Sequence, residues 1–309
     1  QEERHRPIVW GGSLEWFASD SRQARLASDS AEQQAWEEPA HMLTGGEAQA
    51  REPAVNFHGA TQVASSPRDG AVDPVLVSKS LVAAAIQQGA QAIERCELLG
   101  VDDSSDHKGK LLRTSCGPIE ADRVVLATGP APAAVKRFGG FDLPQRSTPG
   151  VIVVTRPVKQ LLRGILVAPG IHIHQRMDGR LVIGEQDGAP DTAAHAARLA
   201  QRPKRFPDDL VAEQHAQRLL ATTRNYLPSV GEVEVDEVII GWRPLPVDGH
   251  PVIGPSPADD RVYVAIMHSG VSLAAITGDL VARELADGVE MALLRPFRAN
   301  RVFDTKNRY

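Results

Sequence analysis

Residues Gly241 to Gly254 read G-W-R-P-L-P-V-D-G-H-P-V-I-G, and Met267 to Gly278 follow as M-H-S-G-V-S-L-A-A-I-T-G. The first segment sets an arginine on a stiff backbone. Val238, Ile239 and Ile240 before it read as a short buried strand. Pro244 and Pro246 lack the N–H that a ladder needs, so the strand is expected to end near Arg243. A guanidinium held there can grip a carboxylate through two parallel hydrogen bonds. Asp248-Gly249 is a turn pair, and Pro251 and Gly254 bracket a second turn. The alternative is an ordinary strand-turn-strand with a surface arginine.

The second segment reads as strand, turn and helix. Arg261 to Ile266 is a strand, His268-Ser269-Gly270 the turn, and Val271 to Leu285 a helix. Val271, Ala274, Ala275, Ile276, Val281 and Leu285 are available for packing. Gly278 inside the helix costs about 1 kcal/mol relative to alanine, which close approach to a sheet or ligand would justify. The N-terminus of such a helix offers free N–H groups and partial positive charge. Taken alone, this piece is equally a crossover helix without a ligand.

Together the two segments resemble the C-terminal signature of the FAD-dependent D-amino-acid oxidase superfamily, in its glycine oxidase and D-amino-acid dehydrogenase branch. That pattern is G-x-R-P-x-x-x-D-G-x-P-x-I-G, an apolar strand, then H-x-G or a close variant opening a helix. Three further stretches resemble the same family. Asp122 to Pro130 (D-R-V-V-L-A-T-G-P) is similar to its strand ending in A-T-G, Asp69 to Pro74 to its turn and helix start, and Met177 to Glu185 to its substrate-domain hairpin. The resemblance covers most of residues 8 to 300.

It implies an α/β protein with an α+β substrate part. An incomplete Rossmann-like FAD-binding domain would interleave with a mixed or antiparallel-sheet substrate domain. The expected division is 1–66 and 148–230 for substrate, 67–147 and 231–309 for FAD. The family opens on a strand, G-x-G-x-x-G and a helix, and no G-x-G-x-x-G occurs in this chain. The expectation is therefore an N-terminally incomplete protein, with a partner-completed subunit or a lineage without flavin as alternatives.

The resemblance also implies roles. Arg243 would hold the substrate carboxylate. His172 would stand over the substrate, where the family places an aromatic or polar residue, and add pH dependence. His268 would contact the flavin edge or the substrate, or else cap a neighbouring carbonyl. Leu98 would offer backbone contacts near the adenine. Ala127, Thr128 and Gly129 would pack beside the flavin, and Ser269, Gly270, Val271 and Ser272 would present N–H groups to it. FAD would be non-covalent, because no cysteine follows Cys116 to form a C-terminal cysteinyl bond. The implied reaction is oxidation of the C–N bond of an amino acid or secondary amine acid, by hydride transfer to flavin N5. The rival reading is a non-catalytic or partner-completed chain that does not hold FAD by itself.

Composition narrows the remaining classes. The chain has 309 residues, 42% hydrophobic and 24% charged, with a net charge of −5. These values suit a globular protein of one large or two medium domains and give no basic stripe for nucleic acid. No apolar run reaches the roughly 18 residues of a membrane span. Cys96 and Cys116 are two and isolated and suggest neither a disulfide framework nor a zinc site, so a reducing, cytoplasmic setting is expected. The other expected partners are a small amine or amino acid and a homo-oligomeric copy. His172-Ile173-His174 puts two imidazoles on one strand face. No third ligand stands at a useful spacing, and His195 and His215 fall on separate stretches, so no metal is expected. No G-x-S-x-G accompanies Ser269, which argues against hydrolase chemistry.

Pro74 to Gln88 is expected as a helix, with Asp73 as N-cap, Gly89 at C′, and Val77, Leu81, Ala84 and Ala85 as its packing face. Helices over Ser21–Trp36, Thr44–Glu52 and Pro207–Tyr226 complete the set. Strands are expected at Ile8–Trp10, Leu14–Ala18, Glu97–Val101, Lys110–Thr114, Val124–Ala127, Val151–Thr155, Gly164–Val167, Ile171–Gln175 and Leu181–Glu185. Asp178-Gly179 would make a type I′ turn between the last two.

Overall fold

The computed structural model describes residues 8–105, 108–186 and 209–304. His195 lies outside them. The chain divides into two compact units, Gln1–Ala83 with Pro149–Gly241, and Ala84–Thr148 with Trp242–Tyr309. The fold is a mixed α/β one with several sheets, as the sequence led us to expect.

In the first unit β1 (Ile8–Trp10) pairs with β5 (Gly70–Val72). The main sheet is built on β2 (Ser13–Glu15), β3 (His41–Thr44), β4 (Gln62–Ser66), β11 (Ile165–Ala168), β12 (Ile171–Gln175) and β13 (Leu181–Glu185). Two longer strands, β10 (Gln145–Thr155) and β14 (Val235–Pro246), complete it, and its order is β14-β10-β13-β12-β11-β2-β4-β3. One face carries Leu14, Leu166, Ile171, Ile173, Leu181 and Ile183, all nearly inaccessible. The period-two alternation of these strands puts every such residue on the same side. Helix α5 (Asp209–Tyr226) packs there through Ala216, Leu219 and Leu220. Helix α1 (Asp20–Ala35) leads into β3, and α2 (Gly45–Arg51) follows it. Thr44 and Glu47 cap α2 reciprocally, each side chain taking the other residue's backbone N–H.

The β12–β13 connection departs from expectation. A type I′ turn needs positive φ at both central residues. Gly179 has φ +89°, and Asp178 is not among the residues with positive φ. The Gly179 N–H donates to the Arg176 carbonyl at 3.0 Å and the Arg176 N–H to the Arg180 carbonyl at 2.8 Å. The loop is thus Met177-Asp178-Gly179, a three-residue hairpin in which glycine alone takes the left-handed position.

The second unit holds a three-stranded sheet, in the order β15 (Val252–Pro255), β16 (Val262–Ile266), β9 (Val124–Leu126), in which β16 and β9 run parallel. The stretch expected as a turn around Pro251 and Gly254 is strand β15. A meander of β6 (Leu98–Asp103), β7 (Lys110–Thr114) and β8 (Gly117–Ala121) completes its strands. Its helices are α4 (Pro132–Gly139) and α6 (Ala274–Asp287).

Helix α3 (Pro74–Gln87) runs from the first unit into the second. Its caps are as expected. Asp73 Oδ1 accepts from the N–H groups of Val75 and Leu76, both at 3.0 Å, and Gly89 has φ +96°. Its packing face is not. Leu81, Ala84 and Ala85 are exposed and Val77 is half-buried, with Val75, Val82 and Ile86 also exposed. Caps and propensity suffice to form this helix, and a cover for its apolar side is a separate requirement that no described residue meets.

Candidate active site

Arg243 does not end its strand. β14 continues through Pro244 and Pro246. The reason lies in the sheet order, where β14 is an edge strand. A proline on an edge can turn its missing donor away from the ladder. Arg243 is half-buried, and burial lowers its guanidinium below the ordinary range. The Asp-Gly pair that follows has a structural task. Asp248 is buried and accepts a bidentate pair from Arg301, at 2.8 and 2.9 Å, with a third bond from the His250 N–H at 3.1 Å. Burial raises that carboxyl, and the Arg301 and His250 bonds outweigh it, leaving the group lowered.

The parallel pairing of β9 with β16 runs Val262 opposite Val124 and Val264 opposite Leu126. Both strands therefore end on the same side of the sheet. Ala127-Thr128-Gly129 leaves one end and Met267-His268-Ser269-Gly270 the other, so stretches far apart in sequence become neighbours. The crevice outside the carboxyl ends of parallel strands is where open α/β sheets bind ligands. Gly129 has φ +57°, and a Cβ there would meet nothing within 4 Å.

Two buried polar atoms at this place have no hydrogen-bond partner among the described residues: Thr128 Oγ1 and Gln145 Oε1. Gln145, the first residue of β10, donates through Nε2 to the Gly129 carbonyl at 3.4 Å. Buried polar atoms are nearly always paired, so two orphans beside one glycine turn fit the polar edge of a ligand. Gln145 was not among the residues expected here. No motif marks it, and it is brought to Gly129 by the tertiary fold.

Helix α6 starts at Ala274 rather than Val271. Residues 269–273 form hydrogen-bonded turns instead, with the Leu273 N–H donating to the Ser269 carbonyl at 2.9 Å. No side chain caps the helix. Its buried face is Thr277, Val281 and Glu284, while Val271, Ala274, Ala275 and Ile276 are exposed. A Cβ on Gly278 would meet nothing within 4 Å, so close packing against the chain does not explain that glycine. The turn before α6 thus leaves backbone and small side chains exposed on the chain that leaves β16, at the side of the sheet where β9 also ends. This arrangement suits an anionic or electron-rich ring edge.

His268 is lowered from its ordinary value by burial and then by the positive charge of Arg243. The two residues lie within electrostatic reach, and the ring is neutral at pH 7. Leu98 stands at the start of β6, packed with Val124, Leu126 and Val262. Its side chain is thus occupied by protein, and only its backbone is left for a ligand.

His172 belongs to the other unit, on the β12 face opposite the core, half-buried. Its cross-strand partner is Gly184. A Cβ on Gly184 would run into the His172 ring, so glycine is what allows the ring to lie across the neighbouring strand. His174, on the same face, is lowered from 6.5 to about 4 by burial, with Arg176 and His172 adding to it. The folded value lies below the unfolded one, so the unfolded chain takes up the proton first as pH falls. Stability linked to this ring is complete above about pH 6.5 and lost by about pH 4, about 3 kcal/mol in all. Replacing His174 with glutamine is expected to flatten the pH dependence of folding stability by that amount. Urea titrations at pH 7 and pH 4.5 check this, and equal losses in both proteins would remove His174 as the cause. Among the described residues no group of three or more His, Cys, Asp or Glu side chains is placed to hold a metal ion. No helix among them is long and apolar enough to cross a membrane.

Comparison with known proteins adds to this geometry. The family model described as FAD dependent oxidoreductase (DAO) matches residues 1–284. Glycine oxidase of Geobacillus kaustophilus (strain HTA426) is 30% identical over 268 residues, covering 85% of this chain and 66% of that protein. Glycine oxidase of Bacillus licheniformis is 25% identical over 233 residues, 74% of this chain and 58% of that protein. The chain therefore spans about two thirds or less of the length of these relatives. The crystal structure of glycine oxidase from Geobacillus kaustophilus superposes with a TM-score of 0.80 at 27% identity, over 98% of this chain and 79% of that one.

Proposed function

Because the chain belongs to the family of FAD-dependent oxidoreductases, we propose that it oxidises the C–N bond of a small primary or secondary amino acid. The relatives named glycine oxidase support glycine as a substrate. The observation that carries the reading is the charge of Arg243 acting on the half-buried His268, which follows β16, while β9 ends on the same side of the sheet and leads to the orphaned Thr128 atom and to Gly129, bonded by Gln145. Residues 67–147 and 231–309 are assigned to the cofactor, and 1–66 and 148–230 to the substrate. Two free thiols suit a reducing, cytoplasmic setting.

FAD supplies a two-electron acceptor when bound. The polar atoms of Thr128 and Gln145, with the N–H groups of residues 269–272, fit its polar edge. Arg243 grips the substrate carboxylate and so fixes the direction of the Cα–H bond, a proximity effect. His268 is kept uncharged by burial and by Arg243. As an uncharged ring it adds no positive charge beside the substrate nitrogen and can accept a hydrogen bond from an N–H of the substrate. His172, on β12, is assigned to the substrate-binding residues.

The test is an anaerobic titration of the FAD-loaded protein with glycine, N-methylglycine and methylamine. Bleaching of the visible flavin band by the two amino acids, with methylamine inert, is expected. An FAD-loaded protein that no amine bleaches would overturn the reading. A folded protein that stays colourless with added FAD would favour a non-catalytic or partner-completed role.

A further inference from the structure

We propose that Cys96 and Cys116 form a reversible dithiol–disulfide pair, oxidised by a hydroperoxide and reopened by a thiol reductant. They are the only cysteines of the chain, 20 positions apart. The β6–β7 pairing and the β7–β8 turn bring them together. Leu98 stands opposite Thr114 where β6 pairs with β7. One step further out, the Ser115 N–H donates to the Glu97 carbonyl at 2.9 Å, and the Glu97 N–H to Ser115 Oγ at 2.8 Å. Cys96 directly precedes Glu97, and Cys116 directly follows Ser115 in the two-residue turn that joins β7 to β8, so the turn brings the second cysteine to the first.

The side chains occupy that arrangement. Cys96 Sγ lies 3.2 Å from Thr114 Oγ1, and the Cys116 N–H donates to the same hydroxyl oxygen at 3.2 Å. Thr114 therefore holds both cysteines from one atom. Cys116 is exposed and Cys96 half-exposed, so an oxidant in solution reaches them. The two thiols are unequal. Cys96 is lowered, first by its hydrogen bond with the Cys116 thiol and next by Thr114, while Cys116 is raised, first by Cys96. This asymmetry makes Cys96 the attacking sulfur and Cys116 the resolving one. With no third soft ligand among the described residues, redox chemistry suits the pair better than metal binding.

The steps balance. The Cys96 thiolate attacks one peroxide oxygen, the O–O bond breaks, and the departing oxygen leaves as water after taking a proton. Cys96 is then a sulfenic acid. The Cys116 sulfur attacks the Cys96 sulfur, the S–S bond forms, the S–O bond breaks, and the hydroxide leaves as water with the Cys116 proton. Two thiols have lost two electrons, and one hydrogen peroxide has become two waters. The bond ties the β7–β8 turn to the chain two residues before Leu98.

The test treats the native protein with equimolar hydrogen peroxide and follows intact mass, alkylatable thiols and oligomeric state. The expected product is a monomer that has lost two hydrogens and both alkylatable thiols, with both restored by dithiothreitol. Cys116→Ser is expected to leave Cys96 as a sulfenic acid that dimedone traps, and Cys96→Ser to slow oxidation of the remaining thiol. Two thiols still alkylatable after treatment would overturn the proposal. So would disulfide-linked dimers, or sulfinate on one cysteine of the wild-type protein with the other thiol intact.

Discussion

Replacing Arg243 with leucine is expected to lower kcat/KM for a carboxylate-bearing amine about a hundredfold to a thousandfold, a loss of about 3–4 kcal/mol. The size follows from desolvation. A carboxylate brought into a half-buried site gives up water, and without the guanidinium nothing of opposite charge replaces it. Leucine is also close to the side chain's apolar volume, so strand β14, an edge strand already stiffened by Pro244 and Pro246, keeps its path. If Arg243 orients as well as binds, kcat falls along with the rise in KM, because a substrate that swivels presents Cα–H less often. Unchanged kcat and KM would exclude the carboxylate clamp. A second readout needs no turnover. The positive charge of Arg243 is one cause of the lowered His268 value, burial being the larger. Its removal is expected to move the His268 titration upward, toward the ordinary 6.5 and short of it, as seen by NMR of the imidazole protons. A His268 titration that does not move would separate the two residues.

Replacing Glu284 with leucine is expected to cost about 3–5 kcal/mol of folding stability. Glu284 is 8% exposed. Its carboxylate accepts from Arg298 Nη1 at 2.9 Å, from Arg298 Nη2, from the Tyr263 hydroxyl and from the Met291 N–H at 2.6 Å. Burial raises the carboxyl, and these bonds overcome it, so the group stays lowered and charged. On Tyr263, burial and then the Glu284 bond push the phenol well above its ordinary range. The glutamate thus ties α6 to β16 and to the chain after residue 290. Losing it leaves the Arg298 guanidinium, with a side chain 14% exposed, without its main counter-charge. The double replacement Glu284→Leu with Arg298→Met is expected to recover most of the loss, since an apolar pair of similar volume is often as stable as a buried ion pair. Urea unfolding of the three proteins tests this. A single replacement that costs under about 1 kcal/mol would make the cluster an ordinary surface ion pair.

Much of the candidate site can be read from residue types at short range. Glycine 129 needs a left-handed φ, Asp73 caps a helix, and Thr44 with Glu47 forms a capping box; each depends on neighbours within a few positions. The same is true of the family itself, whose signature lies in contiguous stretches around Arg243 and His268. Other features depend on which strand lies at an edge or opposite which. Pro244 and Pro246 look like a strand end until β14 is known to be an edge. Gly184 looks like a weak point in a strand until His172 lies across it. Gln145 carries no local signal, and becomes a candidate because its amide reaches Gly129. In α3 the apolar pattern is real, but pattern alone does not say what covers it.

By itself, then, the order of residues determined the family, the α/β class, and the identities of the arginine, histidine and glycine turns, since these rest on local backbone preference and short motifs. Tertiary structure alone decided which of them meet. Parallel pairing set the ends of β9 and β16 side by side. The β6–β7 pairing and the β7–β8 turn brought Cys96 and Cys116 to the same Thr114 hydroxyl, two cysteines that nothing in their sequence spacing connects. Contacts between distant residues are chosen by register and sheet order, which depend on the free energy of the whole packed sheet rather than on any one segment.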